Sequence, residues 1–355
     1  MFTKNLKAGI AASLVVVSLQ TSDLVSRPAL AEQAPASPST EATEPKAAPR
    51  EPIALEPEDA VADFKTQGEY AGEFTAADGT KQKLGVQLVA LGQGTFRAVF
   101  LPGGLPGDGW DEKSRVELSG HTLEDKTTFG ADGAGYSATV NGDGEALTGQ
   151  TEKGEKFELP KVMRQSLTLG AQPLEGATVL FDGTNTDAWQ NGRMDARKLL
   201  AVGATTKKNF RDFTLHLEFR QPFKPFGRGQ DRGNSGVYIQ ERYEIQVLDS
   251  FGTKGEKNEC GSIYTKIPPR INMAFPPLSW QTYDIDFLAA KFDEAGQKTH
   301  NAVVTIKHNG VLIHDKQEIP SKTGAGKEEG PEPRPIKLQD HGNPVFYRNI
   351  WIVDK

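Results

Sequence analysis

The sequence predicts an all-β protein: a sandwich of two antiparallel sheets preceded by a smaller β-rich region. Three observations predict it. Glycine and proline number 37 and 22 among 355 residues, roughly a sixth of the chain against a usual share of about 12%, which favours turns and short strands. Between those turns, runs of residues alternate apolar and polar at the period of two that a half-buried strand requires. Asn-Gly and Asp-Gly pairs separate several of these runs, where a tight hairpin needs positive φ.

Composition removes several function classes. Lys and Arg total 41 against 47 Asp and Glu, a net charge of −6, so no nucleic-acid partner is expected. The lone Cys260 excludes a disulfide framework and a cysteine zinc cluster, and it has no local His signature of a nucleophile. No Gly-x-Ser-x-Gly elbow, P-loop, dinucleotide fingerprint or HExxH occurs, which removes the usual support for serine hydrolase, nucleotide and zincin readings. Length suggests two domains plus extras.

In chain order, residues 1–31 have the form of an export signal. Lys4 and Lys7 precede a short apolar stretch, and Ala29-Leu30-Ala31 offers a small-x-small cleavage site. The product is expected to be periplasmic or secreted, with no membrane attachment after cleavage. Residues 32–57, rich in Pro, Ala and Glu, cannot bury enough apolar surface to offset ordering entropy and are expected to be a disordered linker.

Residues 58–170 are expected to form a small all-β accessory domain. Asp78-Gly79 separates 69–75 from 83–90, 95–100 follows Gly92 and Gly94, and Asn141-Gly142-Asp143-Gly144 separates 136–140 from 145–149. The glycine-rich stretch 101–110 lacks the Lys-Ser/Thr of a phosphate cradle and is expected to be a turn.

Residues 174–355 carry the longer β-rich domain. Phe213, Leu215, Leu217 and Phe219 alternate with Thr214, His216, Glu218 and Arg220, and 283–287 repeats the pattern. Asn309-Gly310 joins 303–308 to 311–314 as a two-residue hairpin, and 345–353 is an apolar closing strand. Apolar-in, polar-out strands of this kind suggest the two-sheet sandwich.

Three patches concentrate chemistry-bearing residues. In the first, 232–240 runs into 243–249. Alternation puts Tyr243, Ile245 and Val247 in the core, with Glu244 and Gln246 opposite. A β-bulge after Val247 would bring Asp249 into the same groove, beside Arg232, Asn234 and Tyr238. The pattern is similar to the Glu-x-Asp-x-x-Glu of laminarinase-type sandwich glycosidases, with Gln246 for the middle acid and Asp249 for the last. Solvated charges on an open sheet face are the other reading. The second patch holds Asp340, His341 and Arg348. His341 is a general base, a metal ligand or a turn residue; Arg348, within an apolar strand, needs a carboxylate or a ligand. The third patch, 260–280, holds Tyr264, Lys266 and Trp280, and its aromatics could stack on sugar faces or cover a sheet edge.

Taken in order, these pieces resemble the 3-keto-disaccharide hydrolase domain family, from about Thr178 to the C-terminus. They are Leu180-Phe-Asp-Gly183 with Trp189, 213–220, Asn234-Ser-Gly-Val237, 243–249, Trp280 with Tyr283, Asn309-Gly-Val311, Gln339-Asp-His-Gly342 and Arg348-Asn-Ile350. Against the family pattern this chain adds 222–230 before Arg232, and Gln281 follows Trp280. The resemblance implies a concanavalin A-like jelly roll and a sugar substrate oxidised to a ketone at C3. That ketone acidifies the C2 hydrogen, so a base forms an enolate and the C1 substituent is eliminated before water adds.

The resemblance then implies Glu244, Asp249 and His341 as base and acid, with Asn234, Tyr238, Gln246, Arg232, Arg348, Tyr264 and Lys266 around the substrate. Glu244, Asp249, His341 and Asp340 could together hold a divalent cation. Arg232 or Arg348 could steady the enolate without one, and no cofactor or metal is assigned. A non-catalytic carbohydrate-binding or surface-interaction module on the same sandwich is the competing reading.

Overall fold

The computed structural model describes residues 53–130 and 133–355; the expected export signal and most of the linker lie outside the described residues. The first eight strands are β1 (Gly68–Thr75), β2 (Lys81–Gly92), β3 (Thr95–Pro102), β4 (Val116–Leu123), β5 (Lys126–Phe129), β6 (Tyr136–Asn141), β7 (Ala146–Thr151) and β8 (Lys156–Val162). Each pairs antiparallel with the next, and Glu69↔Val162 and Tyr70↔Lys161 join β8 to β1, closing a barrel. Tyr70, Leu84, Val86, Leu88, Phe96 and Phe100 fill its interior. Closure removes the exposed edges an open sheet would present.

The second body is the expected jelly-roll-type sandwich. Its strands are β9 (Thr178–Phe181), β10 (Trp189–Gln190), β11 (Leu200–Ala201), β12 (Thr205–Thr206), β13 (Phe213–Arg220), β14 (Ser235–Ile239) and β15 (Tyr243–Val247). After them come β16 (Gln281–Leu288), the short β17 (Lys291–Phe292) and β18 (Lys298–His300), β19 (Ala302–His308), β20 (Val311–Ile319), β21 (Lys337–Leu338) and β22 (Phe346–Asp354). One sheet runs β10-β12-β21-β14-β15; the larger runs β11-β22-β13-β16-β19-β20, with β9 on β22.

Between the sheets lie Phe213, Leu215, Leu217 and Phe219 from β13 and Val237, Ile239, Tyr243, Ile245 and Val247 from the smaller sheet. Tyr347 meets Ser235 hydroxyl to hydroxyl at 2.8 Å, and Tyr283 donates to the Gln246 carbonyl at 2.7 Å, so hydroxyls from the larger sheet pin the smaller one. Cys260 is buried beside Tyr283, and burial pushes its thiol up to about 11. The predicted hairpin is present: Asn309 and Gly310 adopt φ of 53° and 82°, the left-handed pair that a two-residue turn demands.

The polar face of β13 is not open to water. The chain joining barrel to sandwich crosses it. The Gly170 amide donates to Glu218 (2.6 Å), the Ala171 carbonyl accepts from Asn349 and Trp351 (both 3.1 Å), and Thr168 donates to Asp284 (2.7 Å). Beneath this strap His216 meets Asp284 at 2.6 Å, and Arg348 donates to Glu218 at 2.7 Å.

The additional segment 222–230 seats the barrel on the sandwich. Phe223 exchanges backbone hydrogen bonds with Ala54 and packs edge-on against Phe64 at 5.2 Å. Arg228 donates to the Leu91 carbonyl at 2.7 Å. Residues 53–57, expected to belong to the disordered linker, are ordered here, because Ala54 is fixed by that bridge and Glu56 by Arg197 and Arg220.

Candidate functional site

The outer face of the smaller sheet gathers much of the first patch. Opposed residues in an antiparallel pair share a face, so Tyr238↔Lys337 and Tyr238↔Glu244 set Lys337, Tyr238 and Glu244 in one row across β21, β14 and β15. The segment after Cys260 extends the sheet: the Tyr264 amide donates to the Glu244 carbonyl at 3.0 Å and brings Tyr264 beside the row. In the neighbouring row Gly236 faces Gln246, and the Gln339 amide donates to the Gly236 carbonyl at 2.8 Å. The rows present hydroxyls, amides, one carboxylate and one ammonium.

Glu244 is only 2% exposed. Tyr238 donates to its Oε2 at 2.7 Å, and the Gln246 amide lies 3.2 Å from Oε1, donating when its nitrogen takes that side. Burial raises the carboxyl to about 6, against the opposing pull of Tyr238, His341, Lys337 and Gln339. An acid so placed exchanges protons near neutral pH, as a general base must. Burial, reinforced by Glu244, holds the Tyr238 hydroxyl in its protonated form. Ser262 Oγ and Gln339 Oε1 are buried without a hydrogen-bond partner. Unpaired polar atoms are costly without a ligand or water to satisfy them.

Gly236 has a steric purpose. A Cβ there would stand 2.4 Å from Glu244 Oε1. Gly236→Ala is therefore expected to push the carboxylate aside, at about 1–3 kcal/mol of strain. On the catalytic reading turnover falls at least about tenfold, since misplacement of a reacting group is costly. Steady-state kinetics beside a melting curve checks it; full activity would show that the carboxylate position is immaterial.

The other candidates divide. Asn234 and Gln246 belong to the face, linked through Gln230, whose Oε1 accepts from Asn234 at 3.2 Å and, in the Gln246 orientation that turns its nitrogen away from Glu244, from Gln246 at 2.9 Å. His341 is exposed on the loop after β21; its charge acts on Glu244, yet no hydrogen bond joins them. Lys266 turns away to Ser321 Oγ at 3.0 Å.

Asp249 does not enter the groove. β15 ends at Val247 without the bulge, the Asp249 amide donates to the Arg232 carbonyl (2.9 Å), and its carboxylate accepts from Arg232 Nε at 2.7 Å. Arg232 is thereby spent as well; its Nη1 donates to the Ala90 carbonyl of the barrel. Asp249→Asn is expected to cost about 2 kcal/mol, because it removes the counter-charge of a buried guanidinium; urea unfolding measures it, and an unchanged midpoint would contradict the pairing.

Arg348 lies on the far side of the sandwich. Tyr347 points inward to Ser235, so Arg348 points outward, pairing with Glu218 and stacking on Trp280 with its guanidinium carbon 3.9 Å from the ring centre. The core separates it from Glu244. Trp280 is likewise held between Arg348 and Arg220. The proposed cation ligands do not converge either, with Asp340 3.7 Å from Arg193. Among the described residues no group of three or more His, Cys, Asp or Glu side chains could hold a metal ion.

Gly236 and Gln339 stand in the quoted motifs without a role of their own, and the sequence assigns none to Lys337 or Gln230. Their signal is positional: each reaches the face through cross-strand register or a connecting loop.

The sequence pattern of the 3-keto-alpha-glucoside-1,2-lyase-like domain family matches residues 176–353, which span β9 to β22. The chain belongs to this family. Among solved structures, a "putative glycosyl hydrolase" from Parabacteroides distasonis ATCC 8503 is 33% identical, over 51% of this chain and 84% of that one, with a TM-score of 0.47. Two more structures with that description from the same organism match at 18% and 21% identity. They cover 51% and 52% of this chain and 94% and 96% of their own, with TM-scores of 0.37 and 0.32. No curated protein matches. The family's match begins after β8, so the barrel lies outside it, while its seat on 222–230 falls within the matched range.

Proposed function

We propose that this lyase-like domain acts on 3-keto-glycosides, with Glu244 as the base that removes the C2 proton of an exported protein's carbohydrate substrate. The observation that carries the proposal is the buried Glu244 carboxyl raised to about 6 on a face of hydroxyls and amides. Above that pH it is ionised and can accept the proton. The electron pair left at C2 forms the enolate with the C3 oxygen, the C1–oxygen bond breaks, and the departing oxygen takes a proton. Water then adds to the unsaturated sugar if hydrolysis is the outcome. Lys337 supplies positive charge toward the enolate. Arg348 and Arg232, occupied elsewhere, do not.

The test is incubation with a 3-keto-disaccharide, following released monosaccharide by chromatography. Release by the native protein and its loss in a Glu244→Gln, His341→Ala double variant supports the proposal. Equal release by both overturns it. Calorimetric binding of unoxidised glycans without turnover of the keto form would favour the binding-module reading, to which the absence of a hydrogen bond between His341 and Glu244 also lends weight.

A further inference from the structure

A cleft between barrel and sandwich is lined by Arg97 from β3, by Arg228, Gln230 and Arg232 from the additional segment and its end, and by Asn258 and Glu259. Its arginines are hydrogen-bonded largely to neutral carbonyls: Arg97 to Gly252, Arg228 to Leu91, Pro225 and Gly227, Arg232 to Ala90 and Pro225. Such bonds satisfy N–H groups without cancelling charge. Of the acids nearby, Asp249 in the lining takes Arg232 Nε, Glu117 stands 2.8 Å from Arg115 but 4.0 Å from Arg97, and Glu259 accepts from the Gly255 and Glu256 amides through Oε2, so three acids face four arginines. Arg232 is 6% exposed, and its Nη2 has no acceptor; Arg97 Nε has none either. Burial, with repulsion from neighbouring guanidinium groups, lowers the proton affinity of Arg97 and Arg228, while Glu117 and Glu259 act the other way on Arg97.

We propose that this cleft is a subsite for an oxyanion carried on the sugar, a carboxylate or a sulfate ester, so that the preferred substrates are acidic glycosides. Gln230 makes the two places continuous: it lines the cleft, bonds the Asn258 carbonyl through Nε2 at 2.8 Å, and accepts from Asn234 and Gln246 on the Glu244 face. A planar guanidinium offers paired donors that match a carboxylate or sulfate. The inference rests on the Glu244 face being a carbohydrate site, while the anion half stands on the cleft alone.

The test is calorimetry on the full chain with inorganic sulfate, glucose and glucuronate, in the native protein and in Arg97→Gln and Arg228→Gln variants. Expected are saturable sulfate binding and at least about tenfold tighter binding of glucuronate than of glucose, lost in both arginine variants and competed by sulfate. Should the arginine variants unfold, sulfate competition against glucuronate in the native protein decides alone. Glucose and glucuronate bound equally, with no sulfate site, overturns the subsite and leaves the proposed function standing. Sulfate bound while neither sugar binds overturns the sugar-borne anion and counts against the carbohydrate face itself.

Discussion

Glu244→Gln is expected to abolish most of the activity on a 3-keto-glycoside, by about 10²–10⁴-fold, the usual contribution of a positioned general base, while making the protein more stable at neutral pH. The second half follows from the carboxyl's raised pKa of about 6 against an ordinary 4.5. The native state holds this proton more tightly than the unfolded chain does. Stability from the protonated form is therefore full below about pH 4.5 and is lost as pH rises through 6, amounting to about 2 kcal/mol. A glutamine keeps an acceptor for Tyr238 without the buried charge. Urea unfolding at about pH 4 should find the two proteins similar, and at about pH 8 the variant ahead. A variant that loses turnover and is equally destabilised at both values would place Glu244 in the scaffold rather than the chemistry.

The strap over β13 gives the other large effect. Glu218 is buried, which alone would raise its carboxyl, but the His216 ring, Asn349, Arg348 and the Gly170 amide bring it down to about 2. The stability this confers is complete above about pH 4.5 and disappears as pH falls toward 2. Glu218→Ala leaves Arg348, Asn349 and the Gly170 amide without their shared acceptor, and about 3–5 kcal/mol is expected to go. Denaturant unfolding at neutral pH measures that loss. Amide exchange at Gly170 distinguishes the cause: with the acceptor gone, exchange there should accelerate beyond what global unfolding explains. Protection at Gly170 unchanged relative to the core would mean the strap is held by other contacts.

Local pattern carried much of the fold. The alternation at 213–220 matches β13, and Asn309-Gly310 turns where a pair of left-handed residues must. Barrel closure was not legible, because it depends on β1 meeting β8 some ninety residues later, and no local period encodes that pairing. Nor could alternation distinguish water from a crossing strap: His216 and Glu218 scan as a polar outer face and are buried under residues 168–171. At the site, Glu244, Tyr238, Gln246 and Asn234 were legible because they sit on two adjacent strands joined by a short turn. Lys337 and Gln339 were not, coming some ninety residues later in the chain. The placement of Asp249 depended on a bulge, an extra residue that sequence alternation cannot announce.

The pairing of β9 with β22 has a consequence for biogenesis. The barrel's strands all emerge between residues 68 and 162, so the barrel can close while the rest of the chain is still being made. The sandwich cannot. Its first strand waits on Ile350, Trp351 and Ile352, far along the chain from β9, and so does the strap, whose Ala171 carbonyl accepts from Asn349 and Trp351. Contacts so distant along the chain form slowly, which gives the N-terminal body a head start. Loss of β22 would leave a finished barrel attached to an unclosed sandwich, an aggregation-prone species with bare strand edges.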